Sequence, residues 1–159
     1  LAGLGHGANA PAEPDAGIYT PEMTEQTYRE LLAGAAKLLE HGESAVLDAS
    51  WSRDRHREAT RRLGAELGAD VVEIECQLDP DVAKERIIRR SASPWTVSDA
   101  TPEIVDHMAS IHDAWPEAVS IDTTVAAQTC RARALRHVLG FDELAEAGGA
   151  TLRVWIGHR

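Results

Sequence analysis

An acid and a cluster of arginines follow a short apolar run in the stretch AVLDASWSRDRHREATRR, residues 45–62. The run ends on Asp48, and Ser50, Trp51 and Ser52 separate this acid from a segment that contains five arginines. A carboxylate at this position can bind a divalent ion, since hard cations prefer oxygen ligands. Arginine suits phosphate, because its planar guanidinium makes forked hydrogen bonds. The alternative for Asp48 is an acid that caps the following turn.

A second group of arginines lies in ERIIRR, residues 85–90. Arg86 and Arg90 are four residues apart, so on a helix they share one face and can converge on one anion. Arg89 lies three residues after Arg86 and is a less direct partner. The same spacing also permits ordinary pairing with neighbouring acids such as Asp81, and this alternative stays open.

Short apolar runs and capped amphipathic segments predict the elements that position these side chains. Three runs are predicted as strands, at residues 45–48, 71–76 and 119–122. Five segments are predicted as helices, at residues 20–42, 52–68, 79–90, 101–112 and 126–139. This alternation favours an α/β fold in which the three strands are neighbours in one parallel sheet with helices on both faces. Ligands bind outside the carboxyl ends of such strands, which is where Asp48 and Asp122 lie.

Local residue choices predict how the helices begin. Three of them have a capping residue followed by proline, at Thr20, Asp79 and Thr101. The helix after Asp48 is predicted to start at Ser52 and to bury one apolar face, formed by Ala59, Leu63 and Leu67. Two arginines further along that helix are expected to be solvated, namely Arg61 and Arg62.

The composition limits the classes of function. A chain of 159 residues with 43% apolar content fits one domain with a real core. The net charge of -10 argues against nucleic acid as the main partner, and no apolar run approaches the roughly 20 residues of a membrane span. Cys76 and Cys130 are predicted as buried free thiols, which favours a cytoplasmic protein.

Both ends of the chain are predicted to lie outside the main pattern. Residues 1–17 are rich in Gly, Ala and Pro and are predicted to form a loop. Residues 141–159 form a tail to which no role is assigned. Within it, TLRVWI is either an edge strand or a segment that pairs with another chain.

Five segments taken together resemble the ATP-binding domain of one group of P-loop kinases. They are GIYTPEMTEQTYRELL, ESAVLDASWSRDRHREA, DPDVAKERIIRR, SDATPEIVDHM and SIDTT, which span about residues 15–139. The group includes zeta-toxin-like, polynucleotide-kinase-like and gluconate-kinase-like proteins. The pattern is most similar to the ATP-binding half of bifunctional proteins that also carry an aminoglycoside-phosphotransferase-like domain. The resemblance implies an ATP-dependent kinase that acts on a small molecule, with such a phosphotransferase-like domain as a possible upstream partner.

The resemblance also implies roles for residues near the first strand. Asp48 matches the acid that holds the magnesium shell, usually through water. Ser50 and Trp51 match positions that line the acceptor pocket. Arg55 matches an acceptor or phosphate contact, although a solvated helix face explains this arginine equally well.

Further roles are implied for the later segments. Arg86 and Arg90 match lid arginines that neutralise the transferring phosphoryl group, and Arg89 matches a nucleotide contact beside them. Asp122 and Thr123 match positions near the nucleotide base. The stretch SASPWTVSDAT matches the mobile part of the lid, in which Asp99 is either a lid acid or a cap for the next helix.

One part of the family pattern is missing from these 159 residues. A P-loop kinase needs G-x-x-x-x-G-K-[ST], whose amides and lysine hold the phosphates, and neither Lys37 nor Lys84 follows such a loop. We therefore expect residues 1–140 to be a kinase-like domain without its first strand, loop and helix, whether as a fragment, a truncation or a remnant. The alternative function is a non-catalytic remnant that acts by interaction. The coding sequence directly upstream would separate the two, through either an in-frame Gly-Lys-Ser/Thr loop or a start codon.

Overall fold

The computed structural model describes residues 20–92 and 101–140, together with the backbone of residues 153–158. The helices in these ranges are α1 Pro21–Glu40, α2 Asp54–Leu67, α3 Pro80–Ser91, α4 Pro102–Ile111 and α5 Ala127–Leu139. The strands are β1 Ala45–Asp48, β2 Asp70–Gln77, β3 Val119–Asp122 and β4 Arg153–His158. The five predicted helices and three predicted strands are confirmed, with ends shifted by one or two residues. The predicted loop at 1–17 and most of the lid stretch, including Asp99, lie outside the described residues.

All four strands belong to one parallel sheet, in the order β1-β4-β2-β3. The prediction of a parallel sheet is therefore confirmed. The prediction that the three strands would be neighbours is wrong for β1, because β4 lies between β1 and β2. For TLRVWI the alternatives were an edge strand and a segment that pairs with another chain, and the structure shows neither: β4 pairs with β1 and β2 and thereby satisfies both rows of its backbone groups.

Two of the predicted caps are present as hydrogen bonds. The Thr20 hydroxyl accepts from the Met23 amide at 3.3 Å, at the start of α1. The Asp79 carboxylate accepts from the amides of Asp81 and Val82 at 2.9 and 3.4 Å, at the start of α3. These residues satisfy amides that have no partner within the helix.

Helix α2 differs from its prediction in both its start and its buried face. It begins at Asp54 rather than Ser52, and its buried residues are polar or small: His56, Arg57, Thr60 and Gly64. The predicted apolar residues of this helix are only half-buried. Polar contacts with other parts of the chain, and not the apolar stripe, determine which face of α2 is buried.

Gly64 lets α2 approach the start of β2 closely. A Cβ atom at this position would lie 2.5 Å from Cγ2 of Val71 and 2.9 Å from the carbonyl oxygen of Ala69. Both distances are shorter than van der Waals contact, and the second atom belongs to the backbone. A glycine is therefore required here by packing against the sheet.

The described residues divide into two compact units. One contains the first half of α1 together with α3 and α4, and the other contains the rest of α1, α2, α5 and the sheet. In the sheet-containing unit, α2 packs on β2 and β4, and α5 packs on β3. The apolar core of this unit includes Leu39, Leu47, Trp51, Ile121 and Val138.

Two sequence expectations concern exposure. Cys76 and Cys130 are half-buried rather than buried thiols. Within the ranges given above, no helix combines the length and the apolar character needed to cross a membrane.

Candidate functional site

Asp48 is the last residue of β1, and its side chain is exposed at the carboxyl end of the strand. In the sheet it lies opposite Gly157 of β4, at the edge where the sequence analysis placed it. The other exposed residue of this strand is Val46, while Ala45 and Leu47 point into the core. One face of β1 thus anchors the strand and the other presents the acid.

The turn after Asp48 is built around a buried tryptophan. Trp51 is completely buried, has a left-handed backbone with a φ of 50°, and donates from Nε1 to the Leu47 carbonyl at 3.4 Å. A left-handed conformation is uncommon for a bulky residue and persists only where the surroundings fix it. Trp51, predicted to line the acceptor pocket, is therefore part of the packing beneath the turn.

The other two residues predicted for the acceptor pocket are accessible to solvent. Ser50 is half-buried and Arg55 is exposed on the first turn of α2. The guanidinium of Arg55 contacts the imidazole of the next residue, His56, through Nε at 3.4 Å from Nε2. Asp48, Ser50 and Arg55 all belong to the segment that joins β1 to the first turn of α2, in the sheet-containing unit.

A buried arginine, which sequence reasoning missed, lies in the first turn of α2, two residues after Arg55. The side chain of Arg57 has no exposed area, and its guanidinium donates to the Asp113 carbonyl at 3.2 Å and to the Ala114 carbonyl at 2.9 Å. It lies 4.8 Å from the ring centroid of Trp115, and its Nε is 3.5 Å from a carboxylate oxygen of Asp54. These contacts compensate for the burial of the charge.

Asp113 binds the same turn from the other side. Its carboxylate accepts from the Asp54 amide at 2.9 Å and thereby caps α2, and its own amide donates to the Ser52 carbonyl at 2.8 Å. The hydrogen bond from the Asp54 amide lowers the pKa of Asp113, and the nearby charge of Arg53 lowers it further. The cap of α2 is thus supplied across 59 residues of sequence, which is why Ser52 was wrongly predicted to begin the helix.

A second buried ion pair involves Glu73 in the middle of β2. Arg61 donates to the Glu73 carboxylate from Nε at 2.7 Å and from Nη2 at 3.0 Å, and Trp115 donates to it from its indole nitrogen. Glu117 and Asp54 also contact Arg61, at 3.3 and 3.4 Å. The hydrogen bond with Glu73 raises the pKa of Arg61 above its usual value.

This ion pair corrects the prediction that Arg61 is solvated. Its side chain is 25% exposed and that of Glu73 is 6% exposed, so the pair is largely removed from water. The sequence contained one signal for it. Glu73 lies between Val72 and Ile74 in an apolar strand, and an acid at such a position is rarely buried without a partner.

The second predicted group of arginines lies on α3, in the other compact unit. Arg86 is half-buried, whereas Arg89 and Arg90 are exposed in the last turn of the helix. Lys84 of the same helix pairs with Asp106 of α4 at 2.7 Å, and this hydrogen bond raises the pKa of Lys84. The predicted helix is confirmed, so Arg86 and Arg90 lie one turn apart on the same side of α3.

Asp122 and Thr123, predicted to lie near the nucleotide base, hold the turn after β3. The Asp122 carboxylate accepts from the Thr124 amide at 2.8 Å and from its hydroxyl at 2.6 Å. The Thr123 hydroxyl donates to the Gln77 carbonyl at 2.9 Å. These hydrogen bonds therefore stabilise the turn after β3.

The sheet register separates Asp48 from Asp122. The two residues lie on the outer strands β1 and β3, three strand spacings apart, and Asp122 lies three residues further along the sheet. With strands about 4.8 Å apart and about 3.3 Å per residue, their Cα atoms are roughly 17 Å apart. One Mg²⁺ ion cannot bind both carboxylates, because its bonds to oxygen are about 2.1 Å long.

The residues present fit a magnesium ion that arrives with a nucleotide. Among the described residues, no three acidic, cysteine or histidine side chains form a group that could hold a metal ion by themselves. Mg²⁺ in nucleotide sites uses one or two carboxylates, phosphate oxygens and water, and Asp48 alone can meet that need. For the triphosphate the fit is partial, since the printed sequence lacks the G-x-x-x-x-G-K-[ST] loop.

A parallel α/β sheet with an exposed acid at the carboxyl end of a strand is typical of nucleotide-binding P-loop proteins. Comparison with known families agrees with this class, since the model of the AAA domain family matches residues 5–114. The chain belongs to this family, which comprises P-loop NTPase-like kinases. The resemblance to a P-loop kinase-like, nucleotide-binding domain is thereby confirmed at this level.

Similar proteins occur in mycobacteria. The chain is 34% identical over 113 residues to the uncharacterized protein Mb2027c of Mycobacterium bovis and to the uncharacterized protein Rv2004c of Mycobacterium tuberculosis. The matched region is 71% of this chain but only 22% of each relative, so the chain spans about a fifth of their length. No solved structure matches the chain.

Proposed function

We propose that the chain supplies the magnesium-facing and acceptor-facing part of an ATP-dependent phosphotransferase that acts on a small molecule. The observation that carries this proposal is the exposed Asp48 at the carboxyl end of β1, directly before the turn with Ser50 and Arg55. In a parallel sheet this edge is where ligands bind. The membership in a family of P-loop NTPase-like kinases supports the same reaction class.

Asp48 holds the water shell of the magnesium ion in this proposal. The ion supplies charge neutralisation between the phosphate oxygens when it is bound. Ser50 and Arg55 contact the acceptor, because one offers a hydroxyl and the other a forked cation beside the acid. Trp51 does not contact the acceptor in this proposal. It fixes the backbone of the turn next to Ser50 and Arg55.

Arg86 and Arg90 neutralise the charge that develops on the transferring phosphoryl group. Arg86 is half-buried and Arg90 is exposed, and both lie on one side of α3, where a single anion could contact both. Arg89 contacts the nucleotide beside them. Such cations are most effective where charge increases in the transition state.

The remaining roles follow the family resemblance. Asp122 and Thr123 contact the nucleotide base in addition to holding their turn. The protein works in the cytoplasm on a small-molecule acceptor, and a phosphotransferase-like domain is its partner. The length of the mycobacterial relatives, of which this chain matches 22%, leaves room for such a domain.

The proposal is tested with the product of the whole open reading frame that encodes these residues. Turnover of ATP should depend on magnesium, and Asp48→Asn should reduce it by about 10²-fold or more, as expected for a lost transition-state interaction. Asp70→Asn is the matched control, because Asp70 is an exposed acid at the amino end of β2. Equal turnover of the two variants would contradict the role of Asp48.

The non-catalytic alternative makes a different prediction for the same protein. If the product of the reading frame neither binds magnesium-ATP in calorimetry nor turns it over, the kinase proposal fails and an interaction module becomes the better explanation.

A further inference from the structure

The β1–α2 turn is closed by two hydrogen bonds, one at each end. Trp51 donates to the Leu47 carbonyl at 3.4 Å, immediately before Asp48. The Ser52 carbonyl accepts from the Asp113 amide at 2.8 Å. Residues 48–51 therefore form a short loop whose ends are both fixed, and Asp48 lies at the first of them.

The second closure depends on a buried cation. Arg57 binds the carbonyls of Asp113 and Ala114 and lies against the ring of Trp115, which fixes the backbone that donates to Ser52. We call the contacts of Arg57 with residues 113–115 the Arg57 anchor. A charge with no exposed area is expensive to bury unless it has such partners.

We propose that Arg57 and Asp113 are positioning residues for Asp48. This inference rests on the proposed function, because it concerns the orientation of the carboxylate toward magnesium. The anchor fixes Ser52, Ser52 fixes the left-handed backbone of Trp51, and Trp51 fixes the end of β1. When the Arg57 anchor is weakened, the Asp48 carboxylate no longer has one fixed orientation. The affinity for the metal therefore falls.

Arg57→Lys is the informative substitution. Lysine keeps the charge but cannot make the forked contact with two carbonyls. In the product of the whole open reading frame, it should raise the magnesium concentration for half-maximal ATP turnover about tenfold, as for other residues that orient a metal ligand. Turnover at saturating magnesium should change by less than about threefold, since Arg57 does not touch the reacting groups.

A second readout needs neither metal nor activity. In the 159-residue chain, the indole N–H of Trp51 is buried and bonded, so its hydrogen exchange should be slow. Arg57→Lys should speed it about tenfold by local opening, while the amides of β2 exchange at an unchanged rate. Arg62→Lys on the exposed side of the same helix is the matched control and should alter neither.

Each result has a distinct meaning. A change in maximal turnover with an unchanged magnesium requirement, or faster exchange of the β2 amides together with Trp51, would show that Arg57 only stabilises the fold and would overturn the inference. A wild-type protein without magnesium-dependent turnover would instead refute the proposed function. If Arg57→Lys does not fold, Asp113→Asn should raise the magnesium requirement in the same direction, and an unchanged requirement overturns the inference.

Discussion

Replacement of Arg61 by alanine should destabilise the protein strongly, in contrast to the neighbouring Arg62. The change removes two hydrogen bonds to Glu73, of 2.7 and 3.0 Å, from a carboxylate that is only 6% exposed and that keeps the hydrogen bond from Trp115. Breaking a buried ion pair from one side costs about 3–5 kcal/mol. Because the Arg61 side chain is 25% exposed, water can partly replace it, and we expect about 2–3 kcal/mol.

Urea unfolding followed by circular dichroism measures this difference. In a thermal melt of a chain of this size, the same loss of free energy corresponds to a decrease in Tm of about 5–10 °C. Arg62→Ala should change the free energy of unfolding by less than about 0.5 kcal/mol, because this side chain is exposed. Equal effects of the two substitutions would refute the claim that Arg61 and Glu73 form a buried pair.

A double-mutant cycle tests the pair itself. With Glu73→Gln already present, the buried negative charge is gone, and the further change Arg61→Ala should cost less than it does in the wild type. We expect a coupling energy of about 1 kcal/mol or more between these residues. Additive effects would mean that Arg61 acts through other contacts.

Three further predictions concern packing, acid stability and nucleotide binding. Gly64→Ala should destabilise the protein by about 1–3 kcal/mol through overpacking against Ala69, whereas Gly34→Ala, where nothing lies within 4 Å of the added Cβ, should stabilise it by about 0.5–1 kcal/mol; urea unfolding of both variants checks the opposite signs. The folded pKa of Asp113 is lowered from 3.8, so its contribution is complete above that pH and is lost as the pH falls through the folded pKa; Asp113→Asn should therefore weaken the protein at pH 7 more than in strong acid, and equal losses in urea midpoint would contradict this. The 159-residue chain by itself should bind magnesium-ATP weakly or not at all in calorimetry, and micromolar affinity would show that the phosphate-binding residues have been misplaced.

The features predicted correctly from the sequence depend on neighbouring residues. Thr20 and Asp79 cap their helices through bonds to amides two or three residues away, and such local signals can be read directly. The position of Asp48 at a strand end likewise follows from the apolar run before it. The parallel sheet follows from the alternation of strands and helices.

The features predicted wrongly depend on contacts between distant parts of the chain. The buried face of α2 depends on Arg57 and Arg61, which bind the Ala114 carbonyl 57 residues away and the Glu73 carboxylate 12 residues away. The start of this helix is decided by Asp113. No local pattern identifies these partners, so the half-buried apolar stripe was given too much weight.

The predicted strand order was wrong for a related reason. Strand β4 pairs with β1 and β2 across a long stretch of sequence, and the order of strands is not encoded in any one of them. The exposed residues of the candidate site could be predicted from the sequence, but the buried contacts that hold them could not. Ser50 and Arg55 could be proposed from the sequence, whereas the buried tryptophan and the Arg57 anchor beneath them required the structure.

The most direct test of the proposed function is the rate of phosphoryl release or transfer from ATP labelled on its terminal phosphate. The product of the whole open reading frame should be compared with its variants Arg86→Ala and Arg90→Ala, and with Arg62→Ala as the control. We predict a loss of about 10²-fold or more in kcat for each α3 variant, since each removes a charge that acts mainly in the transition state. The control should stay within about threefold of the wild type, because exposed charges contribute little. Rates for Arg86→Ala and Arg90→Ala that match the control would contradict the assignment of α3 to phosphoryl transfer.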